Sequence, residues 1–481
     1  MKWNAFPLAG AVGFAPLVAA GPAGPHGVVI ARQQSGSQTG MSGMTASMSA
    51  PPTRSHPSSV AHTPFSGTPY TTGAVTASSV GTGIPKGSIL PGATTYPSNG
   101  QLNNPEPAPY VPAGGLGTNG SIPVYNAKSD FDFESLALAL YQEWIELDLF
   151  QDGLRRFSDE DFRAAGLSQA DRDLIAFMAE QEVGHATLIS NILGDRAPQQ
   201  CSYNYPYTNV AEYLDFCQKL TRFGESGVYG FLAHLDSREA ANLLTLSITT
   251  EARQQMIFRQ FQGLFPMPVW FEVGIPQSWA WTLLAPYISS CPDNQTRLAW
   301  QNFPGLQVLN QPSIATAGNA TAPMNNTLGP AANVVRGNST GNQPITSDNG
   351  GSGALVTHDT GALSYPGRKV YLEWQQPGQQ VGPNNSYVTN TTAGAGKYVA
   401  WVSQLNVTYS PLTVTYSNPG NGTVGGRGYT VQPDLETFQG DPAINGTIFI
   451  AITDADMYLS PFNLSLINPH VVAGPAIYQA G

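Results

Sequence analysis

The stretch Ile175-Ala-Phe-Met-Ala-Glu-Gln-Glu-Val-Gly-His-Ala-Thr-Leu-Ile-Ser-Asn-Ile192 decides how the chain is read. Ile175, Met178, Ile189 and Ile192 recur in steps of three and four, and Glu182 and His185 fill the gap between them on the same stripe. Such steps keep side chains on one face of a helix, and an apolar face turns to a core. This core therefore receives an acid and an imidazole. Three other segments repeat the pattern. The first runs Phe133, Leu136, Leu140, Glu143, Leu147, Phe150, Leu154; another runs Leu214, Cys217, Thr221, Glu225, Val228, Leu232; the last runs Leu244, Ile248, Glu251, Gln255, Phe258. Each stripe carries a Glu near its middle.

Start signals bracket four helices. A polar cap followed three residues later by an acid marks Ser129 with Asp132, Ser168 with Asp171, Asn209 with Glu212, and Asp236 with Glu239. Gly194 closes the second helix, and Gly263 with Pro266 closes the fourth. Leu235 and Asp236 join the third and fourth almost directly, so these two are antiparallel. Asp195 to Thr208 separates the second from the third. That connection reaches roughly 45 Å when extended, against roughly 37 Å for a helix of about 25 residues, so it can cross the length of the bundle. One long crossover among four helices is the ferritin-like connection.

Outside this region the composition changes. The whole chain has 481 residues, 51 Gly, 39 Pro and 11% charged residues, against about 25% in an average soluble domain, so several regions of different kinds are expected. Residues 1–20 read as a secretory signal: Lys2, then an apolar run from Ala9, then Val18-Ala19-Ala20 as a small-residue cleavage site. Residues 21–128 are Ser, Thr, Gly and Pro with little periodicity, and are expected to be disordered. Residues 129–310 hold the helices and an apolar cover with Trp270, Phe271, Trp279 and Trp281. Residues 311–365 read as a linker. Within 366–475 lie short β-branched and aromatic runs starting at Lys369, Lys397, Leu405, Leu412 and Thr447, separated by Gly, Pro and Asn; they read as a small β-sandwich. The expected class is thus α+β and multidomain: a ferritin-like four-helix bundle, then a β-sandwich, behind a disordered N-terminal segment.

Export has independent support. Glycosylation acceptors occur at Asn119, Asn294, Asn319, Asn325, Asn338, Asn384, Asn390, Asn406, Asn421, Asn445 and Asn463, and none falls between Asp130 and Phe265. Of the three cysteines, Cys217 lies on a core stripe and is expected as a buried thiol, leaving Cys201 and Cys291 to pair. A secreted or cell-wall location follows, with wall or matrix contacts as candidate partners. The net charge of −11 argues against nucleic acid. No run of 18 apolar residues follows the signal, so no membrane span is expected.

Burying a carboxylate costs several kcal/mol even after relaxation, and Glu is almost never fully buried unless paired. One acid per helix therefore calls for a shared compensating charge. One or two divalent metals would supply it, and oxygen ligands with one imidazole suit iron or manganese. Glu182 and His185, one helical turn apart, can reach the same ion. On these residues the sequence resembles the ferritin-like family in which two helices give one Glu each and two give Glu-x-x-His. The resemblance implies Glu143 and Glu225 as single acids, Glu182 with His185 as one motif, and Glu251 as the start of the other. Gln254 stands where the second His would be, with Gln255 beside it. A Gln carbonyl can ligate a hard ion weakly, or its amide can bond a carboxylate without metal, so the site is asymmetric, mononuclear or vestigial. Glu146, beside the stripe, reads as a flank residue rather than a reserve ligand.

Over a longer span the chain resembles the secreted fungal stress-response and late-sexual-development proteins of the ferritin-like group, which plant desiccation-related proteins also resemble. Glu251-Ala-Arg-Gln-Gln-Met and Phe449-Ile-Ala-Ile-Thr-Asp-Ala-Asp carry that likeness. Two functions compete: a carboxylate-bridged metal protein that oxidises Fe(II) or consumes peroxide, and a non-enzymatic extracellular scaffold with a vestigial site.

Overall fold

The computed structural model describes residues 125–293, 295, 297–312, 362–418, 423–442 and 446–481. The expected signal segment, nearly all of 21–128, most of the expected linker, and the acceptors Asn119, Asn294, Asn319, Asn325, Asn338, Asn421 and Asn445 lie outside the described residues.

Helices come first: α1 Asp130–Arg156, α2 Asp159–Ala164, α3 Gln169–Leu193, α4 Val210–Leu232, α5 Arg238–Phe261 and α6 Gln277–Leu284. The caps are those the sequence announces, with one shift. Ser129, Ser168 and Asn209 accept from the backbone three residues on, but α5 is capped by Ser237 rather than Asp236. The acid Glu239 does not close a capping box there; it pairs with Lys128 at 2.8 Å. Gly194 and Gly263 end α3 and α5 at φ of 65° and 69°, a region open to glycine without a Cβ clash. The short α2, between the first two long helices, carries its own capping box of Ser158 and Asp161. No helix among the described residues is long and apolar enough to cross a membrane.

The long helices contact in a ring: α1 with α3, α3 with α5, α5 with α4, and α4 with α1. Every stripe residue of the four long helices is buried except Leu154 and Leu232, which are half-buried at the helix ends. The turn between α4 and α5 is fastened to the start of α1 by the buried Asp132. Its carboxylate accepts from the backbone N–H of Asp236 (2.8 Å) and Ser237 (2.9 Å), and from Lys128 N–H (2.9 Å). These are charge-assisted bonds to otherwise unpaired amides at a helix N-terminus.

The remaining strands are antiparallel: β1 Ser202–Tyr203, β2 Ile288–Ser290, β3 Leu306–Val308, β4 Lys369–Gln375, β5 Gln380–Val381, β6 Tyr387–Val388, β7 Tyr398–Ser403, β8 Asn406–Pro411, β9 Thr413–Ser417, β10 Val424–Val431, β11 Thr447–Thr453 and β12 Val471–Gln479. Two sheets of four run β3-β4-β10-β9 and β12-β11-β7-β8, while β1 pairs β2 and β5 pairs β6. Val370 and Leu372 from one sheet and Trp401, Ile450 and Tyr478 from the other share one buried core. The chain is thus α+β, helices followed by antiparallel sheets.

Besides the short strands β1, β2, β3, β5 and β6, two long strands escape a reading based on β-branched runs. In β10, Gly426 is required by contact: a Cβ there would lie 2.3 Å from the Trp374 ring. In β12, Pro475 and Gly474 interrupt the pattern, yet the strand pairs with β11 from Thr447 to Thr453 and extends past residue 475. β3 precedes the compositional linker but is hydrogen-bonded to β4.

The apolar cover divides in two. Trp279 and Trp281 on α6 are fully buried, and α6 packs against α1, α4 and β12, joining helices to sheet. Trp270 and Phe271, expected in the same cover, are instead exposed, held by their backbone N–H groups donating to Gln404. The chain between them crosses α4 at Gly230, where a Cβ would meet the Ile275 carbonyl at 1.8 Å. Cys201 and Cys291 form a disulfide across the β1–β2 pair, and Cys217 is a buried free thiol.

Removing the Asp132 acceptor leaves backbone N–H groups at the start of α5 unpaired. Asp132→Ala should lower unfolding stability by about 3 kcal/mol, read from the urea midpoint, with Asp132→Asn losing less.

Candidate metal centre

Three helices bring their polar stripe residues to one height. α1 supplies Glu143, α3 supplies Glu182 and His185, and α5 supplies Glu251 and Gln254, all buried. His185 Nδ1 lies 3.0 Å from Glu182 Oε2, 3.3 Å from Glu143 Oε2 and 3.8 Å from Glu251 Oε1. One ligand atom from each of Glu143, Glu182 and His185 falls within 4.8 Å of the others. The i, i+3 spacing on α3 accounts for the first contact; the α1–α3 and α3–α5 packing accounts for the rest.

The other face of the imidazole is fixed. Thr250 Oγ1 lies 2.9 Å from His185 Nε2 and donates to the Ser247 carbonyl at 2.7 Å. With its proton engaged there, the hydroxyl accepts from Nε2–H, leaving Nδ1 to carry a proton or to meet a cation. A ligating imidazole is commonly oriented in this way through its second nitrogen. The Thr250 role has a faint sequence signal, a hydroxyl immediately before the stripe acid of α5.

Gln254 occupies the place the resemblance assigns to a second His. Its Nε2 donates to Glu182 Oε1, and also to Gln181 Oε1 at 3.3 Å. Its own Oε1, together with Glu251 Oε1, receives no hydrogen bond from the described residues. Two buried oxygens without donors, next to a Glu-Glu-His group, are costly unless a cation or proton meets them.

Two sequence expectations need correction. Glu225 does not join the group. Its carboxylate takes a hydrogen bond from Tyr229 at 2.6 Å and faces Arg222 at 3.1 Å, and Arg222 also pairs with Glu272. The α4 residue facing the group is Thr221, one turn earlier, whose hydroxyl donates to Glu146 at 3.3 Å. Glu146 itself is no flank residue. It is 1% exposed and takes a second bond from Gln142 Nε2 at 2.7 Å.

Burial dominates the electrostatics. It pushes Glu143 up to about 7, against the opposing pull of His185. Burial, then the neighbouring acids Glu182 and Glu143, hold Glu146 well above the usual carboxylate range. Burial, then Glu143, Glu146 and Glu182, do the same for Glu251. For His185, burial would lower the value, but hydrogen bonds to Glu143 and Glu182 outweigh it and push it up to about 12. Without metal the group thus holds an imidazolium among partly protonated acids.

The donor set fits a metal ion. Two carboxylate oxygens and a correctly presented Nδ1 converge, a third carboxylate has a free oxygen, and hard oxygens with one nitrogen suit iron or manganese. The arrangement offers one imidazole rather than two.

A carboxyl raised from its ordinary value binds its proton more tightly in the folded state. Its contribution therefore becomes unfavourable as pH rises through the window from the unfolded value toward 7. In chelator, the wild type should lose stability relative to Glu143→Gln between pH 4.5 and pH 7. Urea unfolding at both pH values checks this; parallel behaviour of the two proteins would contradict it.

A family model described as a ferritin-like domain matches residues 131–264, the span of α1 to α5. Protein rds1 of Schizosaccharomyces pombe is 48% identical over 389 residues, covering 80% of this chain and 90% of that protein. The match extends well beyond the helices into the sheets, so this chain belongs to the same family as protein rds1, built on a ferritin-like domain.

Proposed function

We propose that the protein is a secreted stress-response protein of the ferritin-like kind. In this reading Glu143, Glu182 and His185 hold one iron or manganese ion, with Glu251 and Gln254 as additional oxygen donors, and the site consumes peroxide. The observation that carries it is the aim of His185 Nδ1 at carboxylate oxygens from three helices, with Nε2 locked by Thr250. The helices are read as a four-helix bundle with the crossover at 194–209, and the two sheets as a sandwich packed on α6.

When bound, the ion would supply one-electron redox chemistry. The chain's own residues would orient it and exclude water: the Glu143 and Glu182 carboxylates neutralise its charge, Thr250 fixes the imidazole, and Gln254 holds Glu182 in place. Disulfide pairing of Cys201 with Cys291 supports an oxidising compartment. Of the described glycosylation acceptors, Asn384 and Asn390 are exposed, and Asn406 and Asn463 are half-buried.

A second reading, a non-enzymatic wall or matrix scaffold, is favoured by one observation. The His185 imidazolium, pushed up to about 12 by its acids, together with protons on the raised Glu143, Glu146 and Glu251, can compensate the cluster without metal.

Metal analysis of protein purified from its native source separates the two. The first reading expects about one iron or manganese per chain, matching the one Glu-Glu-His group found among the described residues, lost in Glu182→Ala. Metal far below stoichiometry in the unmutated protein would favour the scaffold.

A further inference from the structure

The crossover between α3 and α4 carries a pattern that neither the fold nor the metal site requires. Its sequence runs Cys201-Ser-Tyr203-Asn-Tyr205-Pro-Tyr207. In an extended segment alternate residues share a face, and the three phenols stack. Ring centroids are 6.1 Å apart for Tyr203 and Tyr205 and 5.4 Å for Tyr205 and Tyr207, with interplanar angles of 22° and 13°. The row then turns inward: Tyr207 meets the fully buried Tyr213 of α4 at 5.2 Å. Tyr213 donates its hydroxyl to the Phe150 carbonyl at 3.2 Å, and the buried Cys217 thiol lies one turn further along α4. One more turn brings Thr221, whose hydroxyl donates to Glu146 beside the metal-binding group.

Two of the phenols have a base in place. Tyr205 donates to Asp148 Oδ2 at 2.8 Å, and Tyr207 donates to Asp152 Oδ2 at 2.5 Å. A buried phenol that loses an electron sheds its proton where a base stands ready, and an adjacent carboxylate can take it and return it. At the outer end, Tyr205 borders a cavity of about 400 Å³. Phe216, Leu220, Leu283, Tyr287 and Ile477 also line it, and Lys219 in its wall is already paired with Asp215 at 2.7 Å. The walls are apolar and aromatic, without uncompensated charge, and suit a small neutral aromatic molecule.

We infer that Tyr205, Tyr207, Tyr213 and Cys217 form an electron relay from a phenolic reductant in this cavity to the carboxylate site. The relay deepens the peroxide-consuming reading and rests on it for its oxidant. One hydrogen peroxide takes two electrons and two protons and becomes two waters. The electrons pass singly through the relay, and two phenols each give up one electron and one proton to become phenoxyl radicals. Tyr205 and Tyr207 return to their starting state after handing a proton to Asp148 and Asp152 and taking it back. Tyr213 and Cys217, which have no aspartate partner among the described residues, pass the electron on without releasing a proton.

The relay can be tested without metal, which separates its failure from failure of the metal reading. Metal-free protein is exposed to a ruthenium polypyridyl complex flash-oxidised to the ruthenium(III) state, in the presence of a spin trap, and adducts are located by peptide mapping. In the wild type, adducts should appear on Tyr213 or Cys217 as well as on Tyr203 and Tyr205. Tyr207→Phe keeps the ring but removes the oxidisable group, and adducts on Tyr213 and Cys217 should be lost. Asp152→Asn keeps the shape and removes the base, and should lower the same adducts while leaving Tyr205 labelled. Inner adducts equal in all three proteins, or absent from the wild type, would overturn the relay.

Discussion

Everything at the centre of the helical layer depends on how a few buried negative charges are compensated. Taking a carboxylate out of water costs several kcal/mol even after relaxation, and this core contains Glu143, Glu146, Glu182 and Glu251. The one cationic side chain among them is His185, whose Nδ1 faces three of their oxygens. Protons on the raised acids share the task. A metal ion would take it over by meeting the same Nδ1 and the same oxygens. The group is therefore tolerable in two states, protonated or metal-bound, and the packing around it has to serve both.

That packing is fixed from the ends of the helices. Asp132 ties the α4–α5 turn to the start of α1, and the Gly230–Ile275 approach presses the following segment onto α4. With the ends set, the axial offsets are set too, and those offsets decide which stripe residues stand level. On α4 the level residue is Thr221, while Glu225 is drawn to Arg222 and Tyr229.

This explains what the sequence made legible and what it withheld. Periodicity gives the inward face, and the stripes of all four long helices are inward. Capping residues give helix starts to within one residue, as the step from Asp236 to Ser237 shows. Periodicity does not give height. Thr221 and Glu225 share a face one turn apart, and only the tertiary offset chooses between them. Nor does it give the width of the buried face, which is why Glu146, three residues from Glu143, is buried. Strands β10 and β12 are hidden for another reason: close contact, as between Gly426 and Trp374, demands residues that ordinarily signal turns.

The placement of β3 has a consequence for the chain's integrity. Leu306–Val308 lies before the Asn- and Gly-rich stretch, yet is hydrogen-bonded into the sheet beside Leu372–Trp374, which comes after it. A protease cutting anywhere between residues 312 and 362 would produce two pieces that still share a sheet, with α6 of the first seated on β12 of the second. Such a nicked form would migrate as two bands under denaturing conditions and as one particle otherwise, because the joint is a woven one rather than a tether.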